Sequence, residues 1–246
     1  MITIIGSFVS PYVRKVLACM NLKSLDYEVD PITPFFGNDE FRRLSPLCRI
    51  PVLLDEEFAI SDSSVICGYL DDAYPGPALF PSDPRDRARA RWLEEFADTR
   101  LGDLFIWNLF YQKVVRPLVW GEPPDERRVE KALNEDIPSA LDYLEGQHPA
   151  DGFLFGDIGA ADIAIASFFR NGAYAGFVPD PSRWPRTAAA VDRTLAHPCI
   201  ATLLPLEEVQ RNADIKGRRQ ALLDAGARLT STTYAVREPR RGMMTL

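Results

Sequence analysis

Three short stretches of this chain carry residue types that can do chemistry. The first is GSFVSPYVRKVLACMNLKS, which offers two hydroxyls, Ser7 and Ser10. Ser10 stands directly before Pro11 at the mouth of a helical pattern. Serine at N-cap followed by proline at the first helical position is a preferred pairing, so the hydroxyl can be a cap. It can equally face a ligand, and the stretch alone leaves both roles open. The second stretch is SPLCRIPVL, where Pro51 precedes a strand-like run. A trans proline opening an edge strand accounts for it, because proline has no N–H to give a sheet ladder. A cis proline, the rarer alternative, would present the backbone of Ile50 outward. The third is SDSSV. Asp62 and Ser63 sit at a helix start, whose positive end attracts anions. N-capping is the ordinary role. The chemical role is a pair of contacts, with Ser63 and the backbone amides taking a carboxylate and Asp62 taking an ammonium. A ligand that needs both is an α-amino acid.

The elements that must position these residues follow from periodicity. MITIIG reads as a buried strand ending at Gly6. In the next helix Val13, Val16, Leu17 and Met20 recur at i, i+3, i+4 and i+7. LDYEVDPI alternates as a strand, and NDEFRRLSP is a short helix stopped by Pro46. RIPVLLDEEFAIS is a hairpin turning at Asp55-Glu56-Glu57, and SDSSVICGYLDDAY is a helix ending before Pro75. The order is βαβαββα within residues 1–76. The segment 77–83 lies in a proline-dense linker that includes Pro77 and Pro81. From 84 to 215 the periodicity is helical throughout. One long helix starts near Pro84 and ends before RPLVWGEPPD. A second spans DERRVEKALNEDIPSALDYLEG with a kink at Pro138. GAADIAIASFF and PRTAAAVDRTLAH form two more. Residues 216–246 form a basic tail or an extra helix. Seven Lys and Arg against two acids give that tail +5, which leaves −12 for the rest of a chain of net −7. Such a tail can fold back on the acidic body or stay disordered.

Composition excludes several classes. With 246 residues, 46% of them hydrophobic, the chain can bury a sizeable core. Its net charge of −7 argues against nucleic-acid binding. The 4 cysteines form no CxxC pair and there are 2 histidines, so no zinc-type spacing exists and no metal is expected. All four cysteines read as structural thiols, Cys48 least clearly. MITIIGSFV has no basic leader, and no window is apolar enough to span a bilayer, so a reduced, cytoplasmic protein is expected. There is no GxSxG elbow and no GxGxxG after a strand.

The stretches SPYVRKVLACMNLK, SPLCRIPVL and SDSSVICGYLDDAYP, taken in order, resemble the glutathione-binding domain of cytosolic glutathione transferases. FLFGDIGAADIAIA resembles that family's helical-domain signature. The resemblance covers about residues 1–210 and is nearest the serine-type members, tau- or zeta-like. It implies an α/β thioredoxin-like domain followed by an all-α domain. It implies a cis Pro51, the Ile50 backbone pairing with the cysteinyl part of glutathione, Asp62 and Ser63 holding the γ-glutamyl group, and Arg49 near the glycyl carboxylate. Ser10 falls on the catalytic serine, and the ungapped register to NLK leaves Ser7 out. Tyr12, Phe35, Phe36, Trp107, Phe110 and Tyr111 are candidates to hold an apolar electrophile between the domains. Glutathione is then the co-substrate, and a homodimer is implied. Three departures stand out. Asp62 replaces a usual Glu or Gln. Cys48 replaces a frequent glycine, as a filler or as an oxidisable thiol. Gly159 replaces a capping Ser or Thr, with Asp162 able to reach back to the first-turn amides and Ile158 and Ile163 able to form a hydrophobic staple.

The implied chemistry is thiol activation. A free thiol has a pKa of about 8.5, and lowering it by about two units takes about 2.7 kcal/mol. A hydroxyl donating to an anion supplies about 1.5–3 kcal/mol, and a helix N-terminus about 0.3–1 kcal/mol. Serine is a donor in this scheme and needs no histidine. The alternatives are a glutathione-dependent isomerase of the maleylacetoacetate type and a transferase-like binding or regulatory protein without turnover.

Overall fold

A computed structural model describes residues 1–214 and 216–241. The β-branched run Ile2–Ile5 forms β1 and pairs in parallel with β2, Tyr27–Asp30. β1 also pairs antiparallel with β3, Val52–Asp55, and β3 pairs with β4, Phe58–Ser61, so the sheet order is β2-β1-β3-β4. Helix α1, Pro11–Leu22, buries Val13, Val16, Leu17 and Met20 completely, the face its periodicity predicts. α2, Asp39–Leu44, is capped by the Asn38 side chain, and α3, Ser63–Ala73, is capped by Asp62. The βαβαββα order is the one expected, with a single 3-10 turn, Pro34–Phe36, added before α2.

The chain forms two compact units. One comprises residues 1–78 together with the chain from Pro198 onward, and the other Leu79–His197. In the second unit α4, Pro84–Phe96, continues in wide π-type turns over Ala97–Trp120. The helix was expected to end before Arg116. It runs on through Pro117 and ends at Gly121, where Gly121 N–H bonds Pro117 O at 3.1 Å and Glu122 N–H bonds Arg116 O at 3.3 Å. The next helical run is split into α5, Glu126–Lys131, a π-type stretch, Ala132–Asp136, and α6, Ile137–Glu145. Pro138 lies just after the π-type stretch, and Asp136 and Ile137 before it both keep right-handed helical dihedrals, so the run is continuous through the proline. α7, Ala160–Tyr174, and α8, Pro185–Ala196, complete the unit. Asp162 accepts the Gly159 N–H at 3.1 Å and the Leu154 N–H at 3.0 Å. Ile158 and Ile163 are both buried beside it. A Cβ at 159 would lie 3.0 Å from the Leu79 carbonyl oxygen, tighter than ordinary contact.

The division of the chain differs from the expected one. Residues 198–214 carry α9, Pro198–Ala201, and α10, Leu204–Asn212, and these pack with the first unit. Cys199, Ile200 and Leu203 are buried there, and specific polar contacts add to them. Glu207 of α10 forms a fully buried ion pair with Arg14, and Gln210 is hydrogen-bonded to Phe8 and Pro31. The basic tail folds back on the same unit, as α11, Arg218–Asp224, followed by an extended strap over residues 227–241. The strap bridges the edge strand β2 in parallel at Val29 and Leu229. It then runs antiparallel to the 35–38 loop. Val236 N–H bonds Phe36 O at 2.7 Å, and Arg240 N–H bonds Phe35 O at 2.8 Å. Three of the tail's seven basic residues pair with acids of this unit, as Arg219–Asp30, Arg228–Asp26 and Arg240–Asp39.

Candidate active site

One row of the sheet gathers the three chemical stretches. Ile5 of β1 lies opposite Val52 of β3, and Val52 lies opposite Ser61 of β4. Each is the last or first residue of its strand. The loop to Ser10, the Ile50–Pro51 segment and the Asp62–Ser63 helix start therefore leave the sheet side by side, at strand spacings of about 4.8 Å. Gly6 makes the packing possible. It adopts φ 155, and a Cβ there would run into the Val13 side chain and lie 3.2 Å from Ile50 Cβ.

Ser10 is the N-cap of α1. Its Oγ accepts the Val13 N–H at 3.4 Å, and its own N–H is held by Ser7 O at 3.0 Å. Capping uses an oxygen lone pair and leaves the hydroxyl proton available. Ser10 is half-buried, whereas Ser7 is buried and its Oγ accepts the Val9 N–H at 3.2 Å. The Ile50–Pro51 peptide is cis. The segment before it is clamped by buried Ser45, whose Oγ accepts from Arg49 N–H at 3.0 Å and donates to Arg49 O at 2.8 Å. The Arg49 side chain is left exposed.

Asp62 is exposed and adopts φ 83, ψ 126, a conformation rare outside glycine. Its Oδ1 accepts the Ser64 N–H at 2.9 Å and the Val65 N–H at 3.2 Å, so the capping role is present. Ser63 is buried in the first turn beside it. Ser64 accepts from Lys15 Nζ at 3.0 Å, a tie between the first turns of α1 and α3. Cys48 adopts φ 51, the left-handed region that explains why glycine is frequent there. Its thiol is buried in a cluster with Ile5, Ile32, Phe41 and Val52, with Ile50 and Tyr234 packed against it. That is the filler role.

The electrophile candidates divide between the units. Tyr12 and Phe35 are half-buried in the first, as is Phe36. Trp107, Phe110 and Tyr111 are half-buried on the π-type continuation of α4 in the second, with the Trp107 and Tyr111 rings 5.7 Å apart. Sequence reasoning missed four buried polar supports: Lys15, Ser45, Glu207 and Gln210. Only the charged pair Arg14-Lys15, set between Val13 and Val16 on an otherwise apolar face, was a usable signal. Among the described residues no group of three or more His, Cys, Asp or Glu is arranged to hold a metal ion, and no helix is long and apolar enough to cross a membrane.

Comparison with known proteins agrees with this geometry. The family described as glutathione S-transferase, N-terminal domain, matches residues 4–78. Glutathione S-transferase U17 of Arabidopsis thaliana is 35% identical over 172 residues, covering 68% of this chain and 71% of the relative. Maleylacetoacetate isomerase of Pseudomonas aeruginosa is 29% identical over 204 residues, covering 79% of this chain and 91% of the relative. The crystal structure of a glutathione S-transferase from Rhodospirillum rubrum F11 superposes with a TM-score of 0.75 at 27% identity, covering 83% of this chain and 92% of that one. The thioredoxin-like sheet, the helical second unit and these relatives agree, and the chain belongs to the glutathione S-transferase family.

Proposed function

We propose that this protein is a serine-type glutathione transferase acting on an apolar electrophile. The observation that carries the reading is the row Ile5–Val52–Ser61, which sets a half-buried hydroxyl beside two segments suited to a peptide-like ligand. Glutathione lies with its cysteinyl backbone along Ile50 and the cis Pro51. The N–H and hydroxyl of Ser63 at the start of α3 take the γ-glutamyl carboxylate, Asp62 its ammonium, and Arg49 the glycyl carboxylate. The thiol gives its proton to solvent, Ser10 donates a hydrogen bond from its hydroxyl to the resulting thiolate, and the α1 N-terminus adds its partial positive charge. The thiolate then attacks an electrophilic carbon, forming the S–C bond as a leaving group departs with its bonding pair or, at an activated double bond, as the π pair moves to a neighbouring atom that solvent protonates. The aromatic candidates for the electrophile are Tyr12 and Phe35 in the first unit and Trp107, Phe110 and Tyr111 in the second, and by likeness to its family the protein works as a homodimer.

The test is an ultraviolet titration of bound glutathione in wild type and Ser10→Ala. The bound thiol is expected to titrate about two units below a free thiol in wild type and to return most of the way in the variant. An ordinary thiol pKa in wild type, or one indifferent to the substitution, overturns the mechanism.

A second reading is favoured by the maleylacetoacetate isomerase relative, 91% of whose length is matched. In it the same thiolate adds to the substrate, a bond rotates and glutathione leaves. Supplying that substrate distinguishes the two, because isomerisation returns glutathione unconsumed and conjugation depletes it.

A further inference from the structure

The first unit buries polar side chains from α10 that the thiol chemistry does not use directly. Glu207 is fully buried and Gln210 is 3% exposed. Burying such groups is unfavourable unless each finds partners, and a buried ion pair is rarely more stable than apolar residues of the same size. Their partners are therefore informative. Gln210 Oε1 accepts the Phe8 N–H at 2.7 Å, and its Nε2 donates to Pro31 O at 2.8 Å. Glu207 holds Arg14 Nε, and Arg14 Nη2 donates to Val9 O at 3.4 Å.

These contacts land on the loop that delivers Ser10. Gly6 N–H bonds Asp30 O at 2.8 Å, Phe8 N–H bonds Gln210, Val9 N–H bonds Ser7 Oγ, and Ser10 N–H bonds Ser7 O. The turn made through Ser7 is local. What holds it in place from behind is α10, at Phe8 through Gln210 and at Val9 through Arg14 and Glu207. We infer that Gln210 and Glu207 are positioning residues for the Ser10 hydroxyl, and that α10 is the wall against which the Ser10 loop is set. The inference rests on the reading of Ser10 given above. Its physical basis is that a hydroxyl stabilises a thiolate only when its proton points at the sulfur, and a shift of about 1 Å in a supporting loop can cost about a hundredfold.

The test is a double-mutant cycle read by thiolate absorbance of bound glutathione in wild type, Ser10→Ala, Gln210→Met and the double variant. Gln210→Met keeps the side-chain volume and removes both hydrogen bonds. Its bound-thiol pKa should rise by half a unit or more, about threefold less thiolate at low pH, with glutathione Kd within twofold of wild type. Adding Ser10→Ala to it should raise the pKa by less than it does in wild type. A merely structural residue would lower the unfolding midpoint and leave the thiol pKa of the folded fraction alone. If wild type and Ser10→Ala titrate apart but Gln210→Met matches wild type, or if the two effects add in full, this inference falls and the Ser10 reading stands. If wild type itself shows an ordinary thiol pKa, both fall. Should Gln210→Met not fold, hydrogen exchange in wild type decides. The Phe8 amide should exchange as slowly as the amides of α10, and exchange more than tenfold faster overturns the inference.

Discussion

The backbone N–H of Tyr234 lies 2.7 Å from a carboxylate oxygen of Asp30, a residue 204 positions earlier in the chain. The other oxygen accepts the Thr233 hydroxyl at 2.8 Å, with Arg219 3.5 Å away. Burial pushes the Asp30 carboxyl above the usual range, and the Tyr234 amide, the Thr233 hydroxyl and Arg219 pull it back. The strap thus closes over a buried charge and over the open edge of β2, a common route to aggregation when left bare.

Ending the chain at Gly226 removes the Tyr234 and Thr233 bonds to Asp30. Each buried polar group left unmatched costs about 1–3 kcal/mol, so urea unfolding should show a loss of about 2 kcal/mol or more, with light scattering rising on storage. The 35–38 loop also loses its pins at Phe35 and Phe36. KM for an apolar electrophile should rise several-fold while that for glutathione stays within twofold. Equal KM values for the electrophile would mean the strap is a brace alone.

His148 gives the second unit a pH-dependent weakness. Its ring is 3% exposed, neither nitrogen has a partner among the described residues, and burial lowers its pKa to about 4. A base whose pKa is about 6.5 unfolded and lower folded binds protons better when unfolded, so stability falls as pH drops through that window. The loss is about 2 kcal/mol at pH 5. Asp162 works in the opposite direction, since burial raises its pKa to about 6. The His148 share is therefore read as the difference between wild type and His148→Leu. The variant should match or exceed wild type at pH 7 and gain a further ~2 kcal/mol at pH 5 by urea unfolding. A difference that does not change with pH refutes this.

Cys48 sits at φ 51, where an L side chain costs about 1–2 kcal/mol. Cys48→Gly relieves that and gives up the buried thiol, so its net stability change should lie within about 1 kcal/mol. Cys48→Val, β-branched at a left-handed position, should cost over ~2 kcal/mol. Conjugation rates should survive in the glycine variant. A folded Cys48→Gly protein without activity would make the thiol a participant rather than a filler.

Local signals made much of this legible. The strands, the caps at Ser10 and Asp62 and the apolar face of α1 follow from patterns a few residues long. Pro51 is different, because its isomer is not a local preference, and family resemblance was the cue. Gln210 and Glu207 were invisible for a related reason. On a short amphipathic helix they look like any solvated polar pair, and only the tertiary fold turns them inward onto Phe8 and Arg14. The same holds for the continuation of α4 through Pro117, since a proline reads as a stop by local rule and here lies inside the helical run.

The unit that holds the proposed thiol site is sewn from both ends of the chain. A ribosome delivers the sheet, the Ser10 loop and α3 first, and α10 and the strap only after the whole second unit has been made. Until then the Phe8 amide lacks Gln210, Arg14 lacks Glu207, and the Asp30 carboxylate lacks Thr233 and Tyr234. The contacts that complete this unit therefore join residues about 200 positions apart, and the last of them can form only late in synthesis.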